Sequence, residues 1–239
     1  MSYETSCRYS INLNSPTAGC NAVGDNKPSS DTAHYGIDIS HYQGGLIHEL
    51  DSSSKLRFII SKATQGDTYL DADFHANWHQ TQQRGFVRGA YHFYMADDDS
   101  TDQVKNFFAA VGELDSRDMP PIVDIEKMSL ADGFVKDAGY KALQDDFLTF
   151  LITLEQKLKR KPMIYTDYHF AQEYLLDPKF AEYDLWLAEY SGSKQPKVPD
   201  TWKDKGYKIW QKSDTHVADK GLIETDFDEY VGAMKNLVK

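Results

Sequence analysis

From Tyr35 onward the chain alternates short apolar runs, rich in β-branched and aromatic residues, with longer stretches of helical periodicity. No other feature restricts the fold as much. The runs are Tyr35–Ile39, Arg57–Ser61, Val87–Phe93, Pro121–Ile125, Pro162–Thr166, Leu185–Glu189, Tyr207–Gln211 and Leu222–Asp226, eight in all. Between the early runs lie amphipathic segments. Val104, Phe107, Phe108 and Val111 fall on one helical face, with Ser100 and Gln103 spaced as a capping box. Asp137 to Lys161 carries Tyr140, Leu143, Phe147, Phe150, Leu151, Leu154 and Leu158 along one stripe, then basic residues and Pro162 as a breaker. Asp71–Arg84 and Tyr168–Leu176 supply weaker helical patterns, whereas Ser191–Gly206 and Lys212–Gly221 are polar and lack one.

Alternating strand and helix patterns imply a parallel sheet, and eight strands can close into a barrel. The expectation is an α/β fold, a single TIM-like barrel of the (β/α)5(β)3 type: five strand–helix units, then three strands with irregular links. A chain of 239 residues is nearly all used by one such barrel. A doubly wound open sheet is the alternative, but no Gly-rich phosphate turn or P-loop marks it. Residues 1–33 are polar, with no apolar periodicity, and read as an N-terminal extension; residues 34–239 form the barrel.

A formal net charge of −11 without a basic stripe excludes a nucleic-acid binder of ordinary type. No apolar run is long enough to span a membrane, and the first residues lack the basic start and apolar stretch of a standard signal peptide. Cys7 and Cys20 both lie in the polar extension, free or paired according to compartment. Fifteen tyrosines suit either a half-buried core or a sugar cleft, where a ring covers the apolar face of a pyranose.

The polar residues at the ends of the runs carry the chemistry. Asp38 closes the first run, Lys62 follows the second, His92 and Tyr94 close the third, and Asp124 and Glu126 close the fourth. Asp167, then Glu189 and Tyr190, Gln211, and finally Asp226 and Asp228 end the remaining runs. Strand ends of a barrel converge on one mouth, where active sites lie. In Ile-Val-Asp-Ile-Glu the period-2 alternation puts Asp124 and Glu126 on one side of the strand, roughly 7 Å apart along it. Like charges among the dry neighbours Ile122 and Ile125 raise a carboxyl pKa, so one acid keeps its proton near neutral pH. Such a pair can protonate a glycosidic oxygen and stabilise an oxocarbenium-like transition state. Asp38 and Asp226 add carboxylates at the same mouth, for positioning or pKa tuning or as hydrogen-bonded strand ends. Four carboxylates and a histidine leave a hard-cation site open as a second reading, without a compact ligand motif to mark it. His92 fits either a core histidine or a cleft residue. Neither cysteine chemistry nor a G-x-S-x-G elbow is indicated.

With these residues in view, the chain resembles the glycoside hydrolase family 25 lysozymes, the Chalaropsis-type N-acetylmuramidases. The resemblance runs through Tyr35-Gly36-Ile37-Asp38-Ile39-Ser40-His41-Tyr42-Gln43-Gly44, Ser61-Lys62-Ala63-Thr64-Gln65-Gly66, and Gly89-Ala90-Tyr91-His92-Phe93-Tyr94. It continues through Pro121–Glu126, Ile164-Tyr165-Thr166, Leu185–Tyr190 and Ile209-Trp210-Gln211. It implies hydrolysis of the β-1,4 bond between N-acetylmuramic acid and N-acetylglucosamine, with Glu126 as general acid. Asp124 would stabilise the transition state or assist the substrate acetamide, Asp38 and Asp226 would complete the cluster, and Tyr165 would line the floor. Lys62, Tyr91, His92, Tyr94, Tyr190 and Gln211 join Tyr165 as candidates for substrate binding. Gln65 stands where the family usually has Glu, and Asp228 where it usually has Asn.

The expected partner is peptidoglycan glycan strands, acted on at the cell wall, in the periplasm or outside the cell, by a monomer that needs no cofactor and no metal. Made without a standard signal peptide, the chain would be delivered by another route. It would act as an antibacterial effector of a secretion system, with an immunity protein as partner, or as a phage endolysin. The competing readings are a metal-dependent hydrolase and a non-catalytic glycan-binding protein on the same barrel.

Overall fold

The computed structural model describes residues 32–50, 55–134, 136–217 and 224–239. Cys7, Cys20, the body of the predicted extension and the start of the run at Leu222 lie outside them. The strands are β1 (Ala33–Ile39), β2 (Leu56–Gln65), β3 (Tyr69–Leu70), β4 (Val87–Phe93), β5 (Ile122–Asp124), β6 (Met163–Asp167), β7 (Asp184–Ala188), β8 (Ile209–Val217) and β9 (Glu224–Val231). The helices are α1 (Leu46–Glu49), α2 (Phe74–Gln83), α3 (Ser100–Val111), α4 (Lys136–Leu158) and α5 (Tyr168–Tyr174).

Eight strands close on themselves in the order β1-β2-β4-β5-β6-β7-β8-β9, because β1 pairs with both β2 and β9. The short β3 folds back on the end of β2 as a hairpin. All neighbours from β1 round to β8 are parallel, whereas β9 runs antiparallel to both β8 and β1. The first five strands β1, β2, β4, β5 and β6 are each followed by a helix, so the expected barrel type is the one observed.

Period-2 alternation divides the side chains between two cores. Phe58, Ile60, Ile122, Met163, Trp186 and Ile209 fill the barrel interior. Val123, Ile125, Ile164, Leu185 and Leu187 face outward, under the apolar stripe of α4 formed by Phe147, Phe150, Leu151 and Leu154. Each such side chain, fully buried, contributes roughly 1.5–3 kcal/mol. Gly36 is needed for space: a Cβ there would lie 2.1 Å from the Phe58 ring of the interior core.

Three local expectations change. The cap of α3 is Asp99, whose carboxylate accepts from the Thr101 and Asp102 backbone N–H groups at 2.9 and 3.0 Å; Gln103 turns inward instead of closing a box with Ser100. The segment after Gln211, read as an irregular link, continues β8 to Val217. Most consequential is the last run. Because β9 is antiparallel, Asp226 and Asp228 lie near its beginning, and it is that beginning which reaches the mouth. Run patterning gives a strand's position but not its direction, so the sequence assigned these residues to the wrong end of the strand.

Candidate active site

The mouth at the C-terminal ends of the parallel strands holds a cleft of about 320 Å³. Asp38 from β1, Lys62 from β2, Tyr91 from β4, Asp124 and Glu126 from β5, Tyr165 from β6, Tyr190 after β7 and Asp226 from β9 all line it. Residues separated by 188 positions (226 − 38) therefore share one wall-to-wall space.

One wall is the end of β5. Ladder hydrogen bonds continue one residue past the strand, with Ile125 N–H donating to the Tyr165 carbonyl at 3.0 Å. Glu126 keeps extended backbone (φ −147°, ψ −172°), and its N–H donates to the Ser129 hydroxyl at 3.1 Å. The Asp-x-Glu alternation is thus preserved beyond the last paired residue, which sends both carboxyl groups to the same side. Asp124 is 6% exposed and Glu126 half-buried. Burial, then the Glu126 carboxylate, pushes the Asp124 carboxyl well up from the usual range, against the Lys62 ammonium, which pulls it down. Burial, then the charge of Asp167, raises Glu126; Lys62 opposes this and Asp226 adds to it. A raised, partly solvated carboxyl can hold a proton and still reach a ligand. Asp124 Oδ1 is buried without a hydrogen-bond partner, an acceptor left for an incoming donor.

The opposite wall is built differently. Asp38 and Asp226 are paired across β1 and β9, and Asp228 lies across from Gln211 on β8. Gln211 Nε2 donates to Asp38 Oδ2 at 2.8 Å, while its Oε1 accepts from Tyr165 Oη at 2.8 Å and from Tyr190 Oη. The Trp186 indole N–H donates to Asp228 Oδ1 at 2.8 Å. Burial and the neighbouring carboxylates of Asp226 and Asp228 push Asp38 well above the usual range, and burial does the same for Asp228. Burial raises Tyr91 and Tyr165 well above an ordinary phenol, so both stay protonated as hydroxyl donors. The Tyr165 ring packs edge-on against Trp186, their centroids 4.5 Å apart, and forms part of the cleft floor.

Three of the sequence candidates are not at the cleft surface. Gln211 is 1% exposed and spends its amide on Asp38 and the two tyrosines, so it stands behind the wall. His92 and Tyr94 point outward, away from the mouth. His92 is bonded to Thr64 Oγ1 at 2.8 Å and Gln103 Oε1 at 3.0 Å and stacks on Phe150. Tyr94 Oη donates to Asp146 at 2.5 Å beneath α4. The reason is the pleat: Tyr91 faces the interior, so its neighbour His92 faces the helices. The sequence reading also passed over Ser40, Tyr42, Gln43, Phe93 and Asp214, which line the cleft. Tyr42 is 82% exposed. Its signal was its place in the loop directly after the first run.

Among the described residues, no group of three or more His, Cys, Asp or Glu side chains is placed to hold a metal ion, and no helix is long and apolar enough to cross a membrane.

The sequence profile of the Glycosyl hydrolases family 25 matches residues 37–220. An N,O-diacetylmuramidase from Arthroderma benhamiae is 29% identical over 187 residues, 76% of this chain and 77% of that protein. The protein YegX of Escherichia coli K12 is 27% identical over 215 residues, 88% of this chain and 74% of YegX. The solved structure of a bacterial lysozyme from Streptomyces coelicolor superposes with a TM-score of 0.77 at 26% identity, over 87% of this chain and 96% of that one.

Proposed function

The chain belongs to glycosyl hydrolases family 25 and is a glycoside hydrolase, and from that premise we propose that it is a peptidoglycan muramidase with Glu126 as its general acid. The bond cleaved is the β-1,4 linkage between N-acetylmuramic acid and N-acetylglucosamine. The observation that carries the assignment is the pair at the end of β5: Glu126 is half-buried at the cleft with a raised pKa, beside Asp124 with its unpartnered oxygen, while Asp38 and Asp228 are buried and held by protein donors and the half-buried Asp226 stands across from Asp38 on the other wall. The names of the relatives, N,O-diacetylmuramidase and lysozyme, supply the substrate class.

Glu126 gives its proton to the glycosidic oxygen as the bond to C1 lengthens, and positive charge develops on the ring. Asp124 sits beside it to stabilise that charge. Its unpartnered Oδ1 suits a substrate acetamide N–H, which would orient the acetamide oxygen toward C1. Water then supplies hydroxyl to C1, and its proton returns to Glu126. Tyr91, Tyr165 and Tyr190 give the sugar aromatic surface and hydroxyl groups, and Asp38 and Asp226 complete the cluster.

The test is lysis of purified peptidoglycan, with mass spectrometry of the products. Reducing-end N-acetylmuramic acid is expected from the wild type, and about 10³-fold slower release from Glu126→Gln. Lysis by Glu126→Gln within a few-fold of the wild-type rate removes the acid assignment, and products ending in reducing N-acetylglucosamine remove the bond assignment. The reading extends to delivery as an antibacterial effector or a phage endolysin. An effector would be neutralised by co-expression of a cognate immunity protein, an endolysin would not.

A further inference from the structure

Among the described residues that line the cleft, Lys62 is the one that carries a positive charge. Residues three apart on a regular strand point to opposite faces, so Lys62 and Gln65 of β2 should not meet. They do meet, because the register of β2 against β4 slips at Ala63: Lys62 pairs with Tyr91, but Thr64 already pairs with His92. A slip of this kind re-aims side chains. Ala63 is buried in the outer core and Thr64 reaches His92 Nδ1 on that same side, while Lys62 Nζ donates to Gln65 Oε1 at 2.8 Å on the cleft side.

Among the described residues, the near contacts of the ammonium are neutral. The Phe93 and Tyr69 rings lie with centroids 4.8 and 5.7 Å from Lys62 Nζ. The Gln65 amide nitrogen contacts Met95 Sδ at 3.7 Å, which leaves the amide oxygen for the lysine. A carboxylate in place of that amide would cancel most of the charge at hydrogen-bond range. The groups facing Glu126 are Asp124 beside it, Asp167 at the end of β6, Asp226 from β9 and the Tyr165 phenol, with Lys62 the one cation acting on it among the described residues. Asp71 also faces Lys62.

We propose that Gln65 is a positioning residue of the acid site: its neutral amide holds the Lys62 ammonium at the cleft without quenching it, so the positive field falls on Asp124 and Glu126. This rests on the reading of Glu126 as the acid. The bulge at Ala63 is what places amide and ammonium on one face. The function of the arrangement is to stop a crowd of carboxyls from holding their protons too tightly for the acid to release one.

The experiment is the pH dependence of kcat/KM on soluble peptidoglycan fragments for wild type, Lys62→Met, Lys62→Arg and Gln65→Glu. Lys62→Met should move both limbs of the profile to higher pH by roughly one unit. Gln65→Glu should move them the same way by less, and Lys62→Arg should leave them in place. A structural role alone would lower the whole curve without moving its limbs. A profile that stays put in Gln65→Glu overturns the proposal, even if Glu126→Gln is inactive and the acid assignment stands. Titration of the Glu126 carboxyl by carbon NMR in wild type and Gln65→Glu reads the same displacement without turnover. If Gln65→Glu does not fold, an unmoved limb in Lys62→Met has the same consequence.

Discussion

The two walls of the cleft are made from the same chemical group and behave as opposites. On the β5 side, Asp124 and Glu126 have few protein donors, a cation nearby and access to the cleft. On the β1 and β9 side, Asp38 and Asp228 are buried and held by an amide and an indole, with Asp226 at the cleft edge. Fixed hydrogen bonds give a carboxyl a defined position but little freedom to exchange protons with a ligand. Partial solvation does the reverse. A site that needs both a rigid frame and a working acid can obtain them from one residue type by varying burial and donors.

The sharpest way to break this comparison is Glu126→Gln, which keeps shape and removes the proton. A fall in kcat of about 10³-fold is expected, within the range for loss of a general acid, with an unchanged circular dichroism spectrum. A fall of only a few-fold would mean that the two walls do not differ in the way described.

A buried base outside the cleft gives the next largest effect, and its sign is opposite to that of the acids. Burial holds His92 neutral with its pKa lowered to about 4. Its stabilisation is complete above the unfolded pKa of about 6.5 and is lost as pH falls through the folded value, a loss of about 3 kcal/mol. Denaturant unfolding of wild type and His92→Gln between pH 4 and 7 reads it; the variant should lack this slope.

Gln211→Leu should cost about 2 kcal/mol, because it strands Asp38 Oδ2 and two tyrosine hydroxyls at once. Chemical denaturation measures it, and a neutral result would show the wall to be less rigid than its bonds suggest. The last effect belongs to Asp228. A carboxyl raised in the native state stabilises fully below its unfolded pKa of about 3.9, and that stabilisation is lost as pH rises through the folded value. Asp228→Asn can keep the bond from Trp186 and cannot ionise. It should therefore gain on the wild type as pH rises from about 4, the gap widening toward neutrality. A constant difference in melting temperature across that range would refute it.

Much of this molecule is visible in its sequence, and what is hidden has a common cause. Val87–Phe93 was delimited to the residue and β1, β5, β6 and β7 within two residues, because β-branched and aromatic runs between turn signals are a local property, whereas β2, β8 and β9 run four to six residues past the ends of their apolar patterns. Asp124 and Glu126 could be set on one face because alternation is also local. Alternation across a slip is not: nothing in Lys62-Ala63-Thr64-Gln65 announces an inserted residue, and only pairing with β4 shows that Lys62 and Gln65 share a side. The direction of β9 was illegible for the same reason, since an apolar run has no polarity until a neighbour is chosen. For His92 the sequence left a core and a cleft role open, and only the closed barrel, which turns Tyr91 inward, put its neighbour among the helices.

By itself, the sequence determined the periodicities, hence the eight strands and the helices that follow the first five, and it determined which residue types stand at the strand ends. Only the tertiary structure decided which of those polar groups face the mouth, how β9 enters it, and which carboxyls open on the cleft while others are tied behind its wall. Backbone propensity and side-chain alternation act over a few residues. Desolvation, charge coupling and hydrogen-bond saturation depend on what the closed barrel brings within a few ångströms.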